Sequence, residues 1–234
     1  MEIKLTKKPK NVTIIEGFPG LGLIGTICTE YLIKHLEAES IGSIWSKSLM
    51  PIAAVHESKV AKPLEIFYSK KYNILILHAL SDVNGIEWDI SDALEKLYKQ
   101  VSAKEIISVE GIMSQLEEPE VYFICSNNKS KNKFLAANVK ELKEGIIMGV
   151  TAAIMLKDKS LNSTGIFVGT HSRLPDSRSA AKIIEVLDKY LGLDIDYKPL
   201  VKAAEEFETK LKQLLEKTKA SLQHNKDHKL DYLG

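Results

Sequence analysis

Gly20, Gly22 and Gly25 stand in a G-x-G-x-x-G spacing between an apolar, β-branched run, Val12-Thr13-Ile14-Ile15, and a segment of helical periodicity, Thr26–Leu36. In a strand–turn–helix setting this spacing is the fingerprint of a loop whose backbone N–H groups cradle a dinucleotide pyrophosphate. The same chemistry asks for an acidic residue about twenty residues on, at the end of the next strand, to hold a ribose hydroxyl. Here the next predicted strand, Ile41–Ser46, ends in Trp45, Ser46 and Lys47, with no carboxylate. Pro19 also removes one N–H donor from the loop. The glycines therefore read first as a tight turn that lets a helix lie close on its sheet.

The other residues suited to chemistry are His56, His78, His171, Asp82, Asp89, Glu110, Arg173 and Arg178. His78 follows the apolar run Ile74–Leu77 and Asp82 comes four residues later, both near the end of a central strand, where open α/β sheets place their sites. His171-Ser172-Arg173 follows the predicted strand Ile166–Gly169 in the same way. A pocket of His78, Asp82 and His171 would suit a nucleoside phosphorylase or hydrolase. Against this, the sequence has no G-x-S-x-G elbow, no histidine pair at metal spacing and no C-x-x-C. Strand-end polar groups more often bond loops and cap helices, and Asp176 or Ser177 suits the start of a helix. No catalytic, cofactor-binding or metal-binding residue is assigned on this basis.

The elements that must position these groups alternate. Strands are predicted at Asn11–Glu16, Ile41–Ser46, Ile52–His56, Leu64–Tyr68, Tyr72–Leu80, Glu105–Glu110, Val121–Ser126 and Gly165–Thr170. Helical patterns fall at Leu21–Leu36, Glu87–Val101, Lys131–Asn138, Ile147–Lys157 and Ser177–Leu191. Continuous apolar runs such as Ile74–Leu77 and Ile106–Val109 belong to strands covered on both faces. The expectation is a three-layer α/β/α domain over residues 1–196, built on a mostly parallel mixed sheet. The helix-free stretch from Ile41 to Leu80 should form an antiparallel meander within it.

Basic and acidic side chains nearly balance, 32 against 31, so global charge recruits neither nucleic acid nor membrane. No apolar stretch approaches the length of a membrane span, and Met1–Leu5 lacks the apolar region of a signal peptide, so an intracellular, cytoplasmic protein is expected. Beyond Asp196 the chain becomes charged and alanine-rich. An amphipathic helix is predicted over residues 197–222, with Leu200, Ala204, Phe207, Leu211 and Leu214 in a narrow coiled-coil seam. The seam is short, so Phe207, Leu211 and Leu214 must pack on the domain or on copies of the chain. Residues 223–234 form a polar, mobile tail that ends in Leu230, Tyr232, Leu233 and Gly234.

Four ordered segments give these patterns a common source: Glu16–Gly25, Glu144–Ala153, Gly169–Ala181 and Leu191–Asp196. Together, over about the first 196 residues, they resemble the archaeal homologues of the proteasome-assembling chaperones. The resemblance implies a fold like that of the purine nucleoside phosphorylases, without an enzymatic role. It implies homo-oligomers that bind α subunits of the proteasome core particle, and leaves open α-ring assembly, capping of a finished particle, or an ATPase partner. Some members carry a C-terminal hydrophobic–tyrosine–any-residue signature that inserts between α subunits; it maps here onto Leu230, Tyr232, Leu233 and Gly234. Tyr232 departs from that pattern by standing third from the end, after Asp231.

Overall fold

The computed structural model describes residues 1–202 apart from 57, 117, 158–160, 172 and 173. Its centre is set by strands with no polar face to offer water. Ile14, Ile15, Leu75, Ile76, Ile106, Ile107 and Val109 are fully buried, so helices must cover both sides of the sheet.

In chain order the elements are β1 (Glu2–Leu5), β2 (Thr13–Gly17), α1 (Ile24–His35), β3 (Glu39–Trp45), β4 (Ala54–His56), β5 (Lys59–Ala61), β6 (Leu64–Ser69) and β7 (Ile74–Ala79). There follow α2 (Glu87–Gln100), β8 (Glu105–Met113), β9 (Val121–Cys125), α3 (Asn128–Ala136), β10 (Lys140–Glu141), α4 (Gly149–Met155), β11 (Ser163–Thr170) and α5 (Ser177–Leu191). Nine strands form one sheet in the order β1-β3-β6-β7-β2-β8-β11-β9-β10. The central block β7-β2-β8-β11 is parallel, while β3, β6 and β7 pair antiparallel as the expected meander. One face packs α1, α3 and α5 over Ile15, Ile76 and Phe123; the other packs α2 and α4 over Ile14, Leu75 and Ile106. The three-layer α/β/α architecture on a mixed sheet is thus present.

Two local expectations are corrected. The strand predicted over Ile52–His56 does not enter the meander: β3 pairs directly with β6, and only Ala54–His56 is extended, in a separate hairpin with β5. Val55 and Val60 of that hairpin are exposed, so it has no apolar face to bury in a sheet. Three strands are unforeseen, β5, the two-residue β10 and β1; β1 adds to β3 as an edge. Its exposed Glu2 and Lys4 obscure any apolar signal and protect the edge from further pairing.

A buried carboxylate ties the far end of the parallel block together. Glu105 accepts from Ser130 Oγ at 3.0 Å, Thr164 Oγ1 at 2.5 Å and Tyr190 Oη at 2.9 Å, linking β8, α3, β11 and α5. Beyond α5, residues 198–202 are helical and Leu200 is buried in the α1/α5 layer. The remaining seam positions Phe207, Leu211 and Leu214, and the tail residues Leu230, Tyr232, Leu233 and Gly234, lie outside the described residues.

The glycine turn explains how α1 sits so close to the sheet. A Cβ on Gly25 would fall 2.8 Å from Gly17 Cα and 2.7 Å from the Phe18 carbonyl oxygen. A Cβ on Gly111 of β8 would meet the Leu21 carbonyl oxygen at 2.3 Å. Gly20, in contrast, is extended (φ −162°), and its Cβ would find nothing nearer than 4.0 Å. Gly25→Ala should therefore destabilise the fold by about 3 kcal/mol despite the helix-propensity gain of alanine. Gly20→Ala should stay within about 0.5 kcal/mol. Urea unfolding of the two variants separates these outcomes.

Candidate functional site

All four strands of the parallel block end at one edge of the sheet. The chain leaves β2 toward β3 on one side and leaves β8 toward β9 and β11 on the other, so the β2–β8 crevice is a topological switch point. An open cleft of about 380 Å³ lies there. Its walls are Phe18 and Leu21 from the glycine turn, Asp82 from the β7–α2 connection, Glu87 at the start of α2, Glu110 from β8, and Met148 just before α4.

Backbone groups of the turn are spent inside the fold. Leu23 N–H donates to the Gly20 carbonyl at 3.1 Å, and the Gly22 carbonyl accepts from Asp176 N–H at 2.9 Å. Gly22 adopts φ +63°, and a Cβ there would lie 3.0 Å from Thr170 Oγ1. The glycines are used for close packing against β8 and the β11–α5 connection. Asp176 caps α5 as expected, accepting from Ser179 N–H at 2.9 Å, and it also accepts from the Thr170 hydroxyl at 2.7 Å.

Beneath the turn lies an acidic floor. Strand alternation puts Glu16 of β2 on the same sheet face as Ser108 and Glu110 of β8, with Glu16 paired opposite Ser108. Glu16 is 1% exposed, and its Oε1 has no hydrogen-bond partner. Burial pushes its carboxyl up to about 8; the Ser108 hydroxyl opposes that shift and the charge of Glu110 adds to it. Glu110 is raised as well, chiefly by burial, while its bonds from the Thr151 hydroxyl and backbone N–H of α4 hold it down. Two neighbouring carboxyls in low dielectric cannot both ionise easily, so the pair retains a proton near neutrality.

The pocket of His78, Asp82 and His171 is not assembled. Asp82 lines the cleft and bonds its own loop through Asn84 N–H at 3.1 Å. His78 sits among β7 residues that face α1, where its Nδ1 meets the Thr29 hydroxyl at 2.8 Å; burial holds it below the usual imidazole range. His171 is exposed, with Nδ1 2.9 Å from the Ser114 carbonyl oxygen. Of the other candidates, Glu110 floors the cleft, Asp89 is exposed on α2, and Arg178 pairs with Glu118 at 2.9 Å. Arg173 and the side chain of His56 lie outside what is described. Glu16 was not foreseen as a site residue; its signal is a lone charge closing an apolar strand just before the glycine turn.

The same edge of the sheet is unusually apolar. Among the described residues, all the large apolar side chains that stand exposed, except Leu135 and Leu156, occupy loops or element ends on this edge. Met148 (75% exposed) lines the cleft, Trp88 (58%) follows Glu87 in the first turn of α2, and Trp45 and Met113 stand at the ends of β3 and β8. An apolar rim around a polar cleft marks a surface for binding another molecule.

Fold and edge together define an α/β/α domain whose turn glycines serve packing and whose sheet edge carries an apolar rim. The PAC2 family profile matches residues 14–215, and the chain belongs to the PAC2 family. The crystal structure of Pyrococcus furiosus PbaA, an archaeal homolog of proteasome-assembly chaperone, superposes with a TM-score of 0.84 at 29% identity, covering 97% of each chain. Pyrococcus furiosus PbaB, an archaeal proteasome activator, shares the fold with a TM-score of 0.78 at 21% identity, over 91% of this chain and 98% of that one. An uncharacterized protein of Methanocaldococcus jannaschii is 27% identical over 223 residues, 92% of this chain and 91% of its own length.

The raised Glu16 carboxyl makes stability depend on pH with a definite sign. Below the ordinary carboxyl value both folded and unfolded chains hold this proton. Between about pH 4.5 and about pH 8 only the unfolded chain releases it, so stability falls as pH rises, by up to about 1.4 kcal/mol per unit, and levels off above pH 8. Glu16→Gln removes this contribution. Urea unfolding at pH 5, 6.5 and 8 should show the variant gaining on the parent at each step.

Proposed function

We propose that this chain is a non-enzymatic, proteasome-related binding protein that self-associates and holds proteasome α subunits or the core particle. The observation that carries this reading is the likeness to PbaA along 97% of both chains at 29% identity. The apolar edge supports it physically, since side chains such as Trp88 and Met148 gain by burial against a partner. In this reading Phe207, Leu211 and Leu214 arrange the C-terminal helices of an oligomer, and Leu230, Tyr232, Leu233 and Gly234 are anchors. Several copies of a weak anchor in one oligomer reinforce each other through effective concentration.

A nucleoside phosphorylase or hydrolase has less behind it. Among the described residues, those lining the cleft include Asp82, Glu87 and Glu110 and no basic side chain, so a phosphate dianion would meet carboxylates there.

Purified α subunits mixed with the full-length chain should elute as a complex whose mass by light scattering contains both proteins. Deleting Leu230–Gly234 should weaken that complex about tenfold while leaving the mass of the free protein unchanged. Equal binding by the two forms would overturn the anchor role. Absence of a complex with the intact chain would overturn the proteasome reading itself.

A further inference from the structure

Among the described residues lining it, the acidic floor has no countercharge. Asp82, Glu87 and Glu110 line the cleft without a lysine, arginine or histidine among the lining residues. Behind Glu110, on the same sheet face and one residue pair further in, Glu16 keeps Oε1 unpartnered at 1% exposure. An unsatisfied buried carboxyl oxygen is costly, and a donor brought within reach by a ligand would relieve it. The walls beside this floor are apolar: Phe18, Leu21, Met148 and Val150. Acid at the bottom with hydrocarbon at the sides matches a long side chain that carries its charge at the tip.

We propose that this cleft receives an arginine or lysine side chain of a partner protein that docks on the surrounding apolar rim. The occupant is a side chain on a protein surface because Met148, which lines the cleft, and Trp88, which follows Glu87 at the start of α2, are both exposed, and a small free amine would leave them in water. A guanidinium fits best. Its planar array of five donors can bridge Glu110 and reach toward Glu16, whereas an ammonium offers a compact charge. Charge complementarity thus sets the position of the partner, and the apolar rim supplies most of the contact area. This deepens the reading of the chain as a protein-binding module and concerns the same edge. Its test uses no proteasome component, so the two can fail separately.

The two tryptophans of the chain provide the readout, because Trp88 adjoins Glu87 of the cleft while Trp45 lies on β3. Full-length protein with 15N-labelled tryptophan is titrated with the blocked tripeptide acetyl-Leu-Arg-Leu-amide, with its citrulline counterpart, and with agmatine. The arginine tripeptide should shift the Trp88 indole N–H signal saturably and leave that of Trp45 in place. The neutral citrulline tripeptide should shift neither, and agmatine should bind at least about fivefold more weakly than the arginine tripeptide. Glu110→Gln should weaken the tripeptide about tenfold. Asp82→Asn, at the exposed rim, provides a second variant that leaves the buried floor intact and should weaken it about threefold. A flat Trp88 signal, or equal responses to the arginine and citrulline peptides, would overturn the proposal. Agmatine binding as tightly as the arginine tripeptide would overturn the protein-docking part, because the site would then belong to a free amine.

Discussion

Helix α1 has to start in contact with the backbone of two strands, and that approach determines the rest of the edge. Gly17 and Gly25 touch across the β2–α1 turn, and Gly111 lets the Leu21 carbonyl rest on β8. Any side chain at these positions would push the helix outward by a distance that close-packed interiors do not tolerate. With the helix seated, the turn is folded against the β11–α5 connection, its Gly22 carbonyl bonded to Asp176. A loop that resembles a phosphate cradle in sequence is thereby turned into a rigid wall of the cleft.

That wall has an electrostatic consequence. Behind it Glu16 is buried, and Glu110 is the member of the acid pair that lines the cleft. The pair can hold a proton or answer a cation, and the described residues that line the cleft beside it include no lysine, arginine or histidine. Exposed aromatic and sulfur-containing side chains stand at the same edge, where burial against another surface would be favourable. Membership of the PAC2 family and the likeness to PbaA agree with a domain of this type.

Much of this was legible in the sequence. Ile74–Leu77 and Ile106–Val109 announced strands covered on both faces, and they form β7 and β8 in the parallel block. The missing acid after β3 pointed to packing glycines, and the contacts at Gly17, Gly25 and Gly111 are of that kind. Asp82 and Glu110 were singled out and both line the cleft. His78 was misplaced because nearness to a strand end does not specify a face. Alternation from buried Leu77 turns it toward α1, away from the face of Glu110. The exposed rim was illegible for another reason: Trp45, Trp88, Met113 and Met148 are scattered along the chain, and only the β7-β2-β8-β11 order brings their element ends to one edge.

The central claim is that the carboxyl edge of the sheet is a protein-binding face. Hydrogen–deuterium exchange on the full-length chain, free and saturated with proteasome α subunits, addresses it most directly. The account requires slowed exchange at Asp82–Trp88 and Ile146–Val150, with little change along the outer surface of α5. Slowed exchange confined to α5 and α1, with the edge segments unaltered in the bound state, would contradict it.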